Sequence, residues 1–180
     1  MNYYLYKLKQ MAYTLSGKKE QLMKLNLKYY YSRGVKFGKN MRAFSPLISA
    51  EPYLLEFGDN ITVSGGVKFI THDNSAIKVI SDATDVFGKI KIENDCFIGY
   101  GSIILPGITI GENTIVAAGS VVTKSFSDGN VVIGGNPAKI ICDIDTYKNK
   151  IKNNSLNTNG LNYISKKEYL LKNESKFIKK

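Results

Sequence analysis

The sequence is poor in the residues from which metal centres and disulfide frameworks are built. Among 180 residues it has one histidine, His72, and two cysteines, Cys96 and Cys142, in unrelated contexts. A single imidazole excludes any site that needs two or three histidines from one chain. The cysteines form neither a CxxC metal pair nor a disulfide framework. We therefore expect no metal cofactor.

Long apolar runs are also absent. No stretch approaches the roughly 20 apolar residues that cross a bilayer. The first fifteen residues are interrupted by Lys7, Lys9 and Gln10, so they lack the continuous apolar region of a signal peptide. Hydrophobic residues make up 43% of the chain and charged residues 22%, which is typical of a folded domain with a core. We expect a cytoplasmic protein.

The net charge of +10 lies at the two ends of the chain. Residues 1–42 carry +9 and residues 146–180 carry +7, whereas residues 43–145 carry −6. The basic ends would suit an anionic partner, and a peripheral contact with the inner face of a membrane stays open. Because lysine outnumbers arginine 23 to 2, we favour the composition bias of an AT-rich genome as the explanation. Nucleic-acid recognition commonly uses the bidentate guanidinium groups of arginine, and two arginines argue against a nucleic-acid partner.

The centre of the chain has a six-residue hydrophobic period. An aliphatic residue recurs at every sixth position from residue 92, and the same phase occurs earlier: Ile92, Ile98, Ile104, Ile110, Val116 and Val122, with Phe57, Val63 and Phe69 before them. Neither the helical nor the strand period explains this spacing. It predicts short strands that each send a side chain to a common axis, with three sides closing a coil of 18 residues. The phase breaks between the two blocks, which predicts an inserted loop over residues 70–91 that leaves the coil at His72.

The flanking segments differ from this repeat. We expect an N-terminal helical extension over residues 1–36, in which Leu22, Leu25 and Tyr29 share one helical face. The apolar stretch around residues 3–11 is expected to pack on the body, with lipid contact as the alternative. Residues 143–180 form a basic C-terminal tail, read as a loop followed by a weak helix over residues 165–178.

Residues 92–141 resemble the hexapeptide-repeat acyltransferases. The resemblance covers about residues 37–142 and depends on the AGSVVTK of residues 118–124, followed by the GGNPAK of residues 134–139. It implies an all-β solenoid, a left-handed parallel β-helix, over residues 37–142. It also implies a homotrimer with active sites between subunits. The left hand follows from the resemblance alone, since most parallel crossovers are right-handed.

The only histidine lies in residues 69–75, FITHDNS, at the mouth of the predicted loop. An imidazole with a pKa near 6.5 can remove the proton of a hydroxyl at neutral pH. The resemblance implies that His72 is the general base and that Asp73 and Asn74 meet the substrate. Some relatives carry a second histidine where this chain has Asn74. Asp73, Asp82, Asp85 or a backbone carbonyl could orient the ring, and the sequence does not choose among them.

The resemblance also assigns a slot for acetyl-CoA. Backbone groups near Tyr100 and Ala118 would meet the thioester and pantetheine beside the small residues Gly119 and Ser120, while Thr123, Lys124 and Lys139 would lie near the nucleotide end. Asn136 and Pro137 belong to the terminal loop that lines the slot. Small residues on a coil wall permit close approach of a ligand to the backbone. No serine or cysteine is paired with a base, so we expect direct transfer. Cys96 falls at an interior repeat position.

The resemblance implies an acetyl-CoA-dependent O-acetyltransferase acting on a sugar hydroxyl, in bacterial surface-polysaccharide biosynthesis. Three alternatives stay open. The acceptor could be an amino sugar or a small antibiotic, the donor could be an acyl-carrier protein, or the chain could be a non-enzymatic β-solenoid scaffold. A related β-helix carbonic anhydrase is excluded, because it needs three histidines and one is present.

Overall fold

The computed structural model describes residues 1–179, and most of its regular elements are very short strands. The strands are β1 (Lys36–Phe37), β2 (Arg42–Ala43), β3 (Leu55–Phe57), β4 (Thr62–Val63), β5 (Lys68–Phe69), β6 (His72–Asp73), β7 (Val86–Phe87), β8 (Ile90–Ile92), β9 (Phe97–Ile98), β10 (Ile103–Ile104), β11 (Thr109–Ile110), β12 (Ile115–Val116), β13 (Val121–Val122), β14 (Val131–Gly135) and β15 (Ala138–Asp143). The helices are α1 (Tyr3–Leu15), α2 (Lys19–Ser32), α3 (Ile144–Ile151) and α4 (Tyr163–Lys172). Short 3-10 turns cover Pro52–Leu54, Asn74–Lys78, Lys152–Asn154 and Glu174–Lys176.

Most strands lie in three sheets that the chain visits in turn. The first sheet has the order β1-β3-β8-β11, the second contains β2-β4-β9-β12-β14, and the third contains β5-β10-β13. All pairs within these runs are parallel. β15 then turns back antiparallel on β14. The chain therefore winds as a three-sided parallel coil, closed at its C-terminal end by a hairpin.

The register confirms the eighteen-residue turn. Ile92 pairs with Ile110, Ile98 with Val116 and Ile104 with Val122, each partner lying eighteen residues further on. These six side chains are at most 1% exposed, so they form the axis of the core. Cys96 is also buried there, as predicted.

The corners of the coil use residues that permit either a close approach of adjacent turns or a left-handed backbone. A Cβ on Gly99 would lie 2.5 Å from the carbonyl oxygen of Val116, so only glycine fits between these adjacent turns. Another corner carries asparagine or aspartate with φ near +55° in successive turns: Asn40, Asn60, Asp95, Asn113 and Asn130. Their side chains form a ladder, in which the amide of Asn60 accepts from Asn40 at 2.8 Å and donates to Asp95 at 2.9 Å. Such residues are the usual non-glycine occupants of this conformation.

One turn of the coil carries extra residues. Phe57 pairs with Ile92, thirty-five residues on, which is seventeen more than one turn. The additional residues lie between β5 and β8, where β6 and β7 form an antiparallel hairpin that pairs His72 with Phe87. The hairpin encloses the 3-10 turn Asn74–Lys78.

Two helices pack at the N-terminal side. The rings of Tyr6 in α1 and Tyr29 in α2 stack with centroids 3.9 Å apart, and Leu25 and Tyr30 of α2 are buried. The predicted face of α2 is confirmed by this burial. No helix within residues 1–179 is long and apolar enough to cross a membrane.

The C-terminal segment is more helical than the sequence analysis predicted. α3 occupies part of the predicted loop, and the carboxylate of Asp143 caps it by accepting from the Thr146 N–H at 2.8 Å. The second helix, α4, begins after its cap Asn162 and ends at Lys172, six residues before the predicted end.

Two neighbouring residues of β10 should differ sharply in how much they contribute to the free energy of unfolding. Ile104→Ala removes a fully buried side chain and should lower the free energy of unfolding by about 2–5 kcal/mol. Ile103→Ala, on the opposite face of β10, should cost clearly less, because Ile103 is only half-buried. Urea denaturation of both variants measures the difference. Equal losses would contradict the assignment of the core to the coil axis.

Candidate active site

His72 lies where the chain leaves the third sheet. The preceding Thr71 is buried, and His72 opens the β6–β7 hairpin, with its ring centroid 5.9 Å from that of Phe87. About a third of the His72 side chain is exposed, at 35%. The imidazole is therefore held at a coil edge with one side open to solvent.

A carboxylate holds one nitrogen of the ring. Oε2 of Glu51 lies 2.9 Å from Nδ1 of His72 and accepts from the Thr71 hydroxyl at 2.6 Å. The Thr71 hydroxyl, followed by His72, holds the pKa of Glu51 below its usual range, so this carboxylate is ionised at neutral pH. An ionised carboxylate only accepts hydrogen bonds, so Nδ1 carries the proton and the lone pair of neutral His72 is on Nε2.

The same contact makes the imidazole more basic. The hydrogen bond and charge of Glu51 raise the pKa of His72 above 6.5, against a smaller opposing effect of desolvation, with minor help from Asp85 and Asp73. A carboxylate that stabilises the imidazolium raises the proton affinity of the free Nε2. The pair is thus a base whose tautomer and orientation are fixed by a neighbouring acid.

The group that orients His72 is none of the side chains proposed from the sequence. Asp73 accepts from the Ser75 N–H at 2.8 Å, and Asp85 accepts from the Asn74 amide at 3.2 Å. Asp82 makes no hydrogen bond to the ring within residues 1–179. Glu51 was missed because it lies more than twenty positions before the histidine and outside the repeat pattern.

Asp73 and Asn74 serve the inserted segment itself. Besides its contact with Asp85, the Asn74 amide donates to the Thr84 carbonyl at 3.0 Å, which ties the two arms of the segment together. Asp73 caps the 3-10 turn through Ser75. Their predicted role in binding substrate stays a prediction.

An open cleft of about 450 Å³ adjoins His72. One wall is the end of the third-sheet strand, residues 67–71, and the other is the segment before Glu51, which includes Ser49. The Ser49 hydroxyl is buried without a hydrogen-bond partner in the part of the chain that the structure describes. Ser49 and His72 thus border the same cleft from its two walls.

The residues predicted for the donor lie on another part of the coil. Tyr100 and Gly119 occupy the same corner of adjacent turns, where the Gly119 N–H donates to the Tyr100 carbonyl at 2.8 Å, and Ala118 is exposed beside them. The Ser120 side chain does not face outward. It is fully buried, donates to the Ala117 carbonyl at 2.6 Å and accepts from the Gly135 N–H at 3.3 Å.

Lys124 and Lys139 line one cleft of about 440 Å³. Asn136 and Pro137 form the exposed turn between β14 and β15, and Thr123 is exposed next to Lys124. The two lysines, from distant parts of the sequence, thus face a common space. His72 does not line this cleft. Within one chain, the base and the two lysines therefore border different clefts.

Comparison with known proteins supports the six-residue repeat found in the sequence. Residues 89–124 match the family model "Hexapeptide repeat of succinyl-transferase". Protein CapG of Staphylococcus aureus is 48% identical over 158 residues, which cover 84% of this chain and 91% of that protein. The chain belongs to the hexapeptide-repeat acetyltransferase family. The resemblance found in the sequence is therefore confirmed, and the protein is an acyltransferase.

Two further relatives carry names that state a sugar substrate. A galactoside O-acetyltransferase of Escherichia coli K12 is 30% identical over 65% of this chain and 58% of its own length. The crystal structure of a maltose O-acetyltransferase from Clostridium difficile 630 aligns with a TM-score of 0.52 at 32% identity, covering 62% of this chain and 59% of that one. This chain thus spans somewhat more than half of each of these two proteins.

The Glu51–His72 pair predicts a shift in the pH profile. In the wild type, activity should fall as pH drops through the raised pKa of His72, because only neutral imidazole accepts a proton. Glu51→Gln removes the charge that stabilises imidazolium, so the inflection of kcat/KM should move to lower pH while kcat falls. Thiol release from acetyl-CoA measures both.

Glu56→Gln is the matched control. Glu56 pairs with Lys36 and Lys89 on the first sheet, and its loss should leave the profile unchanged. An inflection that stays in place in Glu51→Gln would show that Glu51 does not act through the imidazole.

Proposed function

We propose that the protein transfers the acetyl group of acetyl-CoA to a hydroxyl of a sugar, with His72 as the general base. The observation that carries the proposal is the Glu51–His72 pair, which leaves Nε2 free beside a cleft. The two relatives named as sugar O-acetyltransferases support the acceptor class. Surface-polysaccharide precursors are the acceptors that we propose from the resemblance in the sequence.

The proposed mechanism is a direct transfer. Nε2 of His72 accepts the proton of the acceptor hydroxyl as that oxygen bonds to the thioester carbonyl carbon, and Glu51 stabilises the imidazolium that forms. As the C–S bond breaks, the imidazolium gives this proton to the departing sulfur, so that coenzyme A leaves as a thiol and the base is regenerated. Acetyl-CoA, when bound, supplies the activated thioester carbonyl. Cys96 is not a suitable nucleophile, because it is buried and burial raises the pKa of its thiol to about 11.

The corner that carries Tyr100, Ala118 and Gly119, together with the cleft of Lys124 and Lys139, fits a donor with a long thioester arm and a phosphorylated nucleotide. Ala118 and Gly119 are small, and nothing lies within 4 Å of a Cβ placed on Gly119, so their turn leaves space beside the exposed Tyr100 of the adjacent turn. Lys124 and Lys139 place two ammonium groups at one cleft, where phosphates would be neutralised. Thr123, Asn136 and Pro137 lie at the rim of the same region in this proposal.

We infer a left-handed sense of the coil and a homotrimer as further parts of the proposal. The inserted segment exposes Val79 at 81%, Val86 at 56% and Phe87 at 57%. Phe87 pairs with His72 and Val86 with Asp73 in the β6–β7 hairpin, and the three exposed side chains would be buried by a neighbouring copy. Such a copy would also supply the wall that joins the base to the donor cleft.

Loss of the base should abolish turnover without unfolding the protein. His72→Ala should reduce thiol release with a sugar acceptor by about 100- to 10,000-fold, since His72 is the only imidazole in the chain. Binding of coenzyme A should change little, because the side chain acts chiefly in the transition state. A panel of free and lipid-linked sugars, amino sugars and small antibiotics identifies the acceptor.

Asp82→Ala, in the same inserted segment, controls for loop damage, and its turnover should stay near wild type. The melting temperatures of both variants should match that of the parent protein. Near-normal turnover of His72→Ala with a genuine acceptor would overturn the mechanism.

The donor assignment predicts an additive effect of two lysines. Lys124→Gln and Lys139→Gln should each raise KM for acetyl-CoA roughly three- to fivefold with little change in kcat, as expected for solvent-exposed charge pairs. Lys148→Gln, an exposed lysine of α3, removes the same charge elsewhere and should have no effect. An unchanged KM in the double variant would remove the cleft from the donor site.

A further inference from the structure

Helix α1 leaves a continuous apolar face exposed. Five large side chains are between 47% and 82% exposed: Tyr4, Leu5, Leu8, Met11 and Leu15. At 100° per residue they lie within an arc of about 120°, following the i, i+4, i+7 spacing of one helix face. Single exposed apolar residues are ordinary, but a contiguous stripe of this length marks a contact surface.

The opposite face fixes the direction in which this arc points. Tyr6 is buried, its ring stacks on Tyr29 of α2, and its hydroxyl donates to Asn26 at 3.0 Å. Gln10 donates to the Tyr6 hydroxyl at 2.8 Å. The helix is therefore attached through a defined side, and the apolar arc is presented outward.

Positive charge borders the arc on both sides. Lys7 and Lys9 each lie about 40° beyond its edges on the helical wheel. Lys18 and Lys19 follow shortly after Leu15, and residues 1–19 contain no aspartate or glutamate. Apolar side chains flanked by lysines are typical of a helix that lies in the interface of an anionic bilayer.

We propose that α1 docks the protein on an anionic lipid surface, with Tyr4, Leu8, Met11 and Leu15 among the acyl chains and Lys7 and Lys9 at the headgroups. Self-association through the same arc is less favourable. Packing two copies of α1 face to face would bring their lysines together without an acid in the helix to compensate them. This surface is separate from the catalytic site and adds a function to the proposed one.

Sedimentation with lipid vesicles tests the proposal. The full chain should bind vesicles of phosphatidylcholine containing phosphatidylglycerol, and bind pure phosphatidylcholine much more weakly. Leu8→Glu should weaken binding at least about tenfold, since it removes one apolar anchor and adds a repelled charge. Phe44→Glu, at a residue 59% exposed after β2, makes an equivalent change elsewhere and should bind like wild type.

The charge contribution is measured separately. The double variant Lys7→Gln/Lys9→Gln should lose about fivefold per lysine on phosphatidylglycerol vesicles. Lys148→Gln/Lys150→Gln, which has the same spacing in exposed α3, should lose little. Added salt should weaken wild-type binding, because screening acts on the lysines.

Three outcomes would overturn the proposal. They are absence of binding to anionic vesicles, equal binding by Leu8→Glu, and a change in oligomeric mass of Leu8→Glu in solution, which would assign the arc to a contact between copies. If Leu8→Glu lowers the melting temperature, vesicle binding by Leu15→Glu, at the last turn of α1, tests the same apolar arc. Thiol release with a water-soluble acceptor should be unchanged in both variants, so failure here and failure of the proposed activity are distinguishable.

Discussion

The narrow interior of the coil is the constraint on which the rest of the structure depends. Each two-residue strand sends one side chain inward, so the axis accepts one large aliphatic residue from each side of a turn. Ile98 and Val116 lie in register on successive turns and are fully buried. Any length change within a turn would break this stack. Added residues must therefore leave the coil at a corner.

The candidate site follows from that requirement. The seventeen extra residues leave after the end of β5, where the polar side chains of Thr71 and His72 follow Ile70. The turn before it is also irregular, since Lys36 pairs with Glu56, twenty residues on. This same offset separates Glu51 from Thr71, which are hydrogen-bonded across adjacent turns. The carboxylate reaches the imidazole because two irregular turns adjoin at one edge.

This geometry explains what the sequence could and could not predict. Regular turns reveal themselves through their period, so the axial residues, the buried Cys96 and the family were predictable. Glu51 was not, because an eighteen-residue spacing would place Tyr53 opposite Thr71, two residues away. The Ser120 hydroxyl was unpredictable for another reason: its partners, Ala117 and Gly135, depend on how β14 closes the coil. Helix α3 was missed because it is only eight residues long, so its apolar face of Ile144, Tyr147 and Ile151 is too short to stand out as a period, and its start depends on the cap Asp143.

The exposure of His72 bears on where catalysis takes place. With 35% of its side chain exposed, the imidazole of one chain faces water, which competes with a sugar hydroxyl for the proton acceptor and for the acyl group. The cleft beside it is open, and the lysines assigned to the donor line a different cleft. A second surface is needed to exclude water and to join these spaces. The inserted segment brings exposed Val86 and Phe87 to this edge, where burial against a neighbouring copy would be favourable. The trimer that we propose would account together for the exposed base, the two separate clefts and the apolar hairpin.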